Sequence, residues 1–156
     1  MIDIRIPGFK QVTVEHLVLD FNGTLACDGI LAEGVRELLV RLSRDLQIHI
    51  LTADTHGNAA AACEGLPCRL VVLPQGAQDV AKRDYVRNLG PARTVCVGNG
   101  RNDRLMVKEA AIGIAVIGEE GASAETAAAA HAVCRSPREA LSLLADPRRL
   151  VATLRA

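Results

Sequence analysis

Residues 16–29 read HLVLDFNGTLACDG. The stretch from His16 to Leu19 has the apolar weight of a buried strand, and Asp20 stands at its end. Gly23 follows, and a glycine there lets the backbone turn sharply, so that amides can face an anion in front of the carboxylate. A lone aspartate at a strand tip is either a turn residue or a nucleophile, and an aspartate held in a glycine turn can attack a phosphoryl group to give an aspartyl phosphate. Two residues further on, where a second carboxylate would be expected, the chain has Asn22. An amide does not titrate usefully and so cannot carry a proton to or from a reacting group.

The pattern on both sides of this stretch alternates. Upstream, MIDIRIPGFKQVTVE holds two extended segments parted by Pro7-Gly8, which predicts a hairpin or a short edge strand leading into the core strand. Downstream, Val35, Leu38, Leu39, Leu42 and Leu46 recur at helical spacing and predict a helix over 33–46. IHILTAD reads as a strand, and residues 55–65 as a helix capped by Thr55 or Asp54 and stopped at Gly65. CRLVVL is a strand, AQDVAKRDYVRNLG a helix ending at Gly90, TVCVGNG a strand, and NDRLMVKEA a helix. IGIAVIG, SAETAAAA and HAVCR follow as strand, helix and short strand. SPREALSLLADPRRLVATLR closes the chain as a helix that Pro147 kinks or breaks. Such alternation predicts an α/β fold: one doubly wound, Rossmann-like parallel sheet flanked by helices, with no cap domain. No linker, repeat or second domain is visible, so residues 1–156 read as one domain.

Composition agrees with that architecture. Of the 156 residues 49% are hydrophobic but only 2% aromatic, which leaves Ala, Val, Leu and Ile to build a core suited to parallel strands. The formal net charge is zero, so nothing steers the chain toward nucleic acid or an anionic membrane. The five cysteines, Cys27, Cys63, Cys68, Cys96 and Cys134, form no C-x-x-C pair; they read as small buried hydrophobes in a reducing cytosol rather than as a zinc or redox site. With no signal peptide and no apolar run long enough to span a bilayer, the expected location is the cytoplasm.

In a doubly wound sheet, ligands bind beyond the carboxyl ends of the strands. Four polar stretches fall there: Asp20–Thr24, Thr52–Asp54, Gly98–Asp103 and Gly118–Ser123. Their chemistry is consistent. Asp20 can act as nucleophile, the Thr52 hydroxyl and the Lys82 ammonium can hold phosphoryl oxygens, and Asp103 can help bind Mg²⁺, a hard cation that prefers oxygen ligands and retained waters. Lysine is scarce here, limited to Lys10, Lys82 and Lys108, and its compact charge suits phosphate. Asn102 and Asp103 suit a helix cap equally well. His16, His49 and His131 have no metal-ligand spacing and lie near strand starts. Arg101 could touch a phosphate or face water.

On these residues the chain resembles the haloacid dehalogenase superfamily of phosphohydrolases, and more closely the phosphorylation domain of P-type ATPases. D-K-T-G-T is matched by Asp20-Phe-Asn-Gly-Thr24, T-G-D by Thr52-Ala-Asp54, and the lysine with a valine four residues on by Lys82 and Val86. G-D-G-x-N-D is matched by Gly98-Asn99-Gly100-Arg101-Asn102-Asp103, and the likeness runs from His16 to Val133. It is also similar to small stand-alone proteins labelled soluble P-type ATPases. The resemblance implies catalytic roles for Asp20, Asn22, Thr52 and Lys82, phosphate binding by Gly23, Thr52, Ala53, Lys82 and Asn102, and Mg²⁺ held by Asp20, Asn22 through its carbonyl, Asn99 and Asp103. Asn99 replaces an aspartate of the family pattern and brings no charge, so a weaker metal site is expected.

The intervals from Thr24 to Thr52 and from Asp54 to Lys82 have room for one helix and one strand each. No nucleotide-binding domain or cap fits, which excludes an ion pump and leaves an open face suited to a large substrate, or to cover by a second copy or a partner protein. Many phosphatases of the superfamily have aspartate at the position of Asn22, where it protonates the leaving group and then activates water. The implied function is therefore Mg²⁺-dependent phosphoryl transfer, a slow phosphatase or phosphotransferase whose Asp20 phosphate is lost slowly, acting on a phosphorylated small molecule or a phosphoprotein. His56, Glu119 or Glu120 are candidates to replace the missing acid and base. The alternative is a non-catalytic regulator that binds metal and phosphate and acts through a partner. A receiver-like domain lacks its acidic cluster, and neither G-x-x-x-x-G-K-[ST] nor G-x-G-x-x-G is present.

Overall fold

The computed structural model describes residues 1–54 and 57–156. The chain opens with β1 (Ile2–Ile6) and β2 (Lys10–Val14), an antiparallel hairpin that forms a sheet of its own rather than an edge of the main one. Ile4, Ile6, Val12 and Val14 are its buried face. The core strand β3 (His16–Asp20) follows.

A second small hairpin comes next, β4 (Ala26–Cys27) and β5 (Ile30–Leu31). Asp28 and Gly29 have φ of 50° and 78°, the two left-handed residues that a type I′ hairpin turn requires. The space between Thr24 and Thr52 therefore holds this hairpin as well as the expected helix and strand. Then come α1 (Val35–Leu42), β6 (Gln47–Thr52), α2 (Asn58–Ala62), β7 (Arg69–Val72), α3 (Gln78–Leu89) and β8 (Thr94–Gly98). After a 3-10 turn at Arg101–Asp103 come α4 (Arg104–Glu109), β9 (Ile112–Val116), α5 (Ala124–Ala129), β10 (Ala132–Cys134), α6 (Pro137–Ala145) and α7 (Pro147–Leu154). Helix α1 is shorter than the span 33–46: Gly34, with φ of 78°, precedes it, and the chain past Leu42 winds on as turns that still bury Leu46. Pro147 breaks the closing helix in two, because it cannot donate the backbone hydrogen bond that would continue α6.

The main sheet has the order β10-β9-β8-β3-β6-β7, and every pair in it is parallel. Helices cover both faces, so β3, β8 and β9 are buried at every position. Alternate residues feed two cores: Leu17 and Leu19 join Leu39, Ile50, Val97 and Leu141, while Val18 joins Val86, Cys96 and Met106 on the other side. From β3 the chain builds to one side through β6 and β7 and then to the other through β8, β9 and β10. The carboxyl ends of β3 and β8 thus border the switch point where α/β sheets hold ligands. Among the described residues no helix is long and apolar enough to cross a membrane, and all five cysteines are free.

Strand β9 lies so close to α4 that a Cβ on Gly113 would overlap the Val107 carbonyl oxygen. Gly113→Ala should therefore destabilise the protein by about 1–3 kcal/mol. The check is urea unfolding, with a lower midpoint at unchanged slope.

Candidate active site

Lys82 is the organising residue. It lies in α3, is 1% exposed, and its Nζ donates to Asp20 Oδ1 and to Asp103 Oδ1 at 2.6 Å each. A buried ammonium is tolerable only when paired in this way. Burial pulls the Lys82 pKa down, but the two carboxylates outweigh it and hold the amine above its ordinary range. Asp20 moves in the same direction. Burial and the nearby Asp103 charge push it from 3.8 up to about 7, against the pull of Lys82 and of the Thr24 hydrogen bond. Two carboxylates share one lysine, and that shortfall of positive charge raises the nucleophile candidate.

The other oxygen of Asp20 faces Thr24, whose Oγ1 lies 2.9 Å from Asp20 Oδ2 and 3.1 Å from Asn99 Oδ1. Asn99 Nδ2 donates to the Gly121 carbonyl at 3.1 Å, which turns the amide oxygen toward Thr24 and Asp20. Asp103 is fully buried behind Lys82, and its Oδ2 accepts from the Asn99 and Gly100 amides at 3.0 and 2.9 Å. Gly98 is required here, because a Cβ on it would lie 2.5 Å from the Asp103 Cβ.

The structure gathers Asp20, Lys82, Asn99 and Asp103 at one point, with Thr24 among them, a residue that the motif comparison left without a role. Thr52 ends β6 beside them and is buried; its Oγ1 accepts from the Asp54 amide at 3.0 Å, so its own proton remains free to donate. Ala53, Asn22 and Asn102 are exposed at the strand ends. Gly23 differs from its expected role. It turns the chain, with φ of 78°, but its amide donates to Ala26 O at 2.8 Å, and the amides of Thr24, Leu25 and Ala26 all go to Phe21 O. The turn uses these donors itself and does not present them to a phosphate. Asp54 Oδ2 caps α2 at the Ala59 amide, 2.8 Å away. Thr55, the other cap candidate, and His56 lie outside the described residues.

Arg101 pairs with Glu125 at 2.9 Å on the surface. His16, His49 and His131 lie away from this point. His16 Nδ1 and His49 Nε2 are 3.2 Å apart, and His49 Nδ1 is 2.8 Å from the Tyr85 hydroxyl. Burial pushes His49 down to about 4, so it is neutral at physiological pH.

The donors fit a hard cation in kind. Asp20 Oδ2 and Asn99 Oδ1 are oxygens brought together over one threonine hydroxyl. Asp103 is less available, since protein donors engage both of its oxygens. Among the described residues no three His, Cys, Asp or Glu side chains cluster as a metal site.

No protein-family model matches the chain. An uncharacterized protein of Methanocaldococcus jannaschii is 37% identical over 84 residues, which cover 51% of this chain and 90% of that one. The phospholipid-transporting ATPase ID of Mus musculus is 33% identical over 131 residues, 78% of this chain but 11% of the ATPase. Among solved structures, a putative HAD family hydrolase from Streptomyces avermitilis superposes with a TM-score of 0.67 at 22% identity, covering 91% of this chain and 84% of that one. The 3-deoxy-D-manno-octulosonate 8-phosphate phosphatase from Moraxella catarrhalis, in complex with magnesium, phosphate and KDO, gives 0.71 at 17% identity, with 90% and 92% covered. The chain belongs to one family with the archaeal protein, and it has the haloacid dehalogenase fold. Within that fold it resembles the phosphorylation domain of P-type ATPases, as the ordered motifs implied.

The raised pKa of Asp20 has a consequence for stability in this haloacid dehalogenase fold. The folded state holds the Asp20 proton up to about pH 7, whereas an ordinary aspartate releases it near 3.8. Between those values the folded state binds the extra proton, so its advantage is full at low pH and is lost as pH rises through 7. With a chelator present, Asp20→Asn should melt several degrees above wild type at pH 8, and the gap should close toward pH 4. Parallel melting curves at all pH values would contradict the shift.

Proposed function

We propose that this protein transfers phosphoryl groups through Asp20, as a slow phosphatase or phosphotransferase acting on a phosphorylated small molecule or a phosphoprotein. The observation that carries the reading is the buried Lys82 bridging Asp20 and Asp103 at the switch point of the sheet. In the reaction an Asp20 oxygen attacks phosphorus, and the leaving oxygen departs with its electron pair. Lys82 draws negative charge off the transferred group, and Thr52, with its free hydroxyl proton, holds one of its oxygens. Asp103 keeps Lys82 in place. Asp20, Asn99 and the Asn22 carbonyl would hold Mg²⁺, which supplies further positive charge to the phosphoryl oxygens when bound. Asn22 cannot give or take the proton that breakdown of the aspartyl phosphate requires, so the phosphoenzyme persists.

The test is an intact-mass comparison after mixing with acetyl phosphate and Mg²⁺ and quenching in acid. Wild type should gain one phosphoryl group and Asp20→Asn none. No adduct, together with no phosphate release above the level of the variant, would overturn catalysis. It would favour the regulatory reading, which draws support from Asp103 being wholly engaged by the protein.

A further inference from the structure

The loop between β9 and α5 contains a tight turn, closed by the Gly121 amide donating to Gly118 O at 3.0 Å. It lies against the Asp20–Thr24 loop: a Cβ on Gly118 would be 3.6 Å from the Gly23 carbonyl oxygen, and Gly121 O takes the Asn99 amide. From this turn Glu120 reaches over Gly23. A Cβ on Gly23 would overlap the Glu120 carboxylate and would lie 2.7 Å from Asn99 Nδ2. Glu120 and Asn99 therefore converge on one point above Gly23, beside the Thr24 that holds Asp20.

The two neighbouring glutamates differ. Glu119 accepts from the Cys27 thiol and pushes the pKa of that thiol up. Glu120 makes no hydrogen bond or ion pair among the described residues, and it is exposed on the turn. Both line a cavity of about 680 Å³ between the β4–β5 hairpin and the turn, walled by Leu25, Ile30 and Leu31, with Gly23 and Thr24 at the Asp20 side.

We propose that this cavity receives the leaving group and that Glu120 is the general acid and base that Asn22 cannot be; the inference rests on phosphoryl transfer at Asp20. In the first step Asp20 attacks phosphorus and the bond from phosphorus to the leaving oxygen breaks, its electron pair going to that oxygen, which takes the proton of Glu120. In the second step water attacks the phosphorus of the aspartyl phosphate and gives its proton to the Glu120 carboxylate. The bond to Asp20 breaks, its electron pair returns to Asp20, and phosphate leaves. Glu120 is carried on an exposed turn rather than fixed by neighbours, so it serves more slowly than a preorganised aspartate at position 22 would.

The experiment isolates the second step. Protein is labelled with acetyl phosphate, whose acetate leaves without needing a proton, excess reagent is removed, and loss of the adduct is followed by intact mass. Wild type, Glu119→Gln and Glu120→Gln should label at similar rates. Glu120→Gln should then lose phosphate about 10²-fold more slowly than the other two, within the ~10²–10⁴-fold that acid–base groups contribute. Wild-type decay should slow on acidification, and Glu120→Gln should lose that dependence, which a merely structural role would not produce. Asn22→Asp in the Glu120→Gln background should restore decay. Equal decay in wild type and Glu120→Gln, or a loss found instead in His56→Ala, overturns the role of Glu120 and leaves Asp20 as nucleophile. Failure of wild type to label, with no phosphate released above the level of Asp20→Asn, overturns the phosphoryl-transfer reading itself.

Discussion

Lys82→Met should destabilise the protein by about 3–5 kcal/mol at pH 8, the cost of leaving buried charges without their partner. Lys82 is 1% exposed, and Asp20 and Asp103 are 6% and 0% exposed, so water cannot take over as counter-ion. The loss should shrink markedly at pH 5. Without the ammonium that draws its pKa down, the Asp20 carboxyl binds its proton more readily still in the folded state, and that stabilisation is present at low pH and lost as pH rises. Urea midpoints at the two pH values decide the matter: an equal drop at both would mean that Lys82 acts through packing alone. The same variant should take up no phosphoryl group from acetyl phosphate at pH 5, where it stays folded.

Asn22→Asp is the second large effect and runs the other way. Residue 22 is exposed at the tip of the Asp20 loop, so the exchange should not disturb folding. A carboxylate there would protonate the leaving group and deprotonate water, moving turnover of a phosphomonoester such as p-nitrophenyl phosphate toward the ~10²–10⁴-fold gain of positioned acid–base catalysis. The steady-state fraction of phosphorylated Asp20 should fall as turnover rises. Unchanged turnover with an unchanged fraction would mean that the amide is not what slows dephosphorylation.

The parallel sheet was legible because its inner strands β3, β8 and β9 are buried on both faces and read as apolar runs, and because four of the runs ended in polar residues at the one edge where α/β sheets bind ligands. Lys82 was legible as a scarce lysine in a helix. Its bridging of two carboxylates was not, since a contact between α3, β3 and the 98–103 loop leaves no local pattern. The β4–β5 hairpin was missed although Asp28-Gly29 between short apolar pairs is a strong type I′ signal; two-residue strands are too short for alternation to register. Gly23 was legible as a turn, whereas the pairing of its amide with Ala26 O was not, because which acceptor an amide finds is settled by how tightly the turn closes. Glu120 was already a candidate acid and base in the sequence, together with Glu119 and His56, and its closeness to Gly23 is what only the fold adds.

Strand β3 is hydrogen-bonded on both sides, to β6 and β8, and buried along its whole length. Its amides should exchange with deuterium only through complete unfolding, at the slowest rate in the molecule. The Asp20 carboxylate is thus rooted in the segment expected to open last, while Asn22, Asn102 and Glu120 ride on exposed turns. If the proposed phosphoryl transfer holds, a protein built this way would change which phosphate ester it accepts by altering its turns, with little risk to the anchored aspartate.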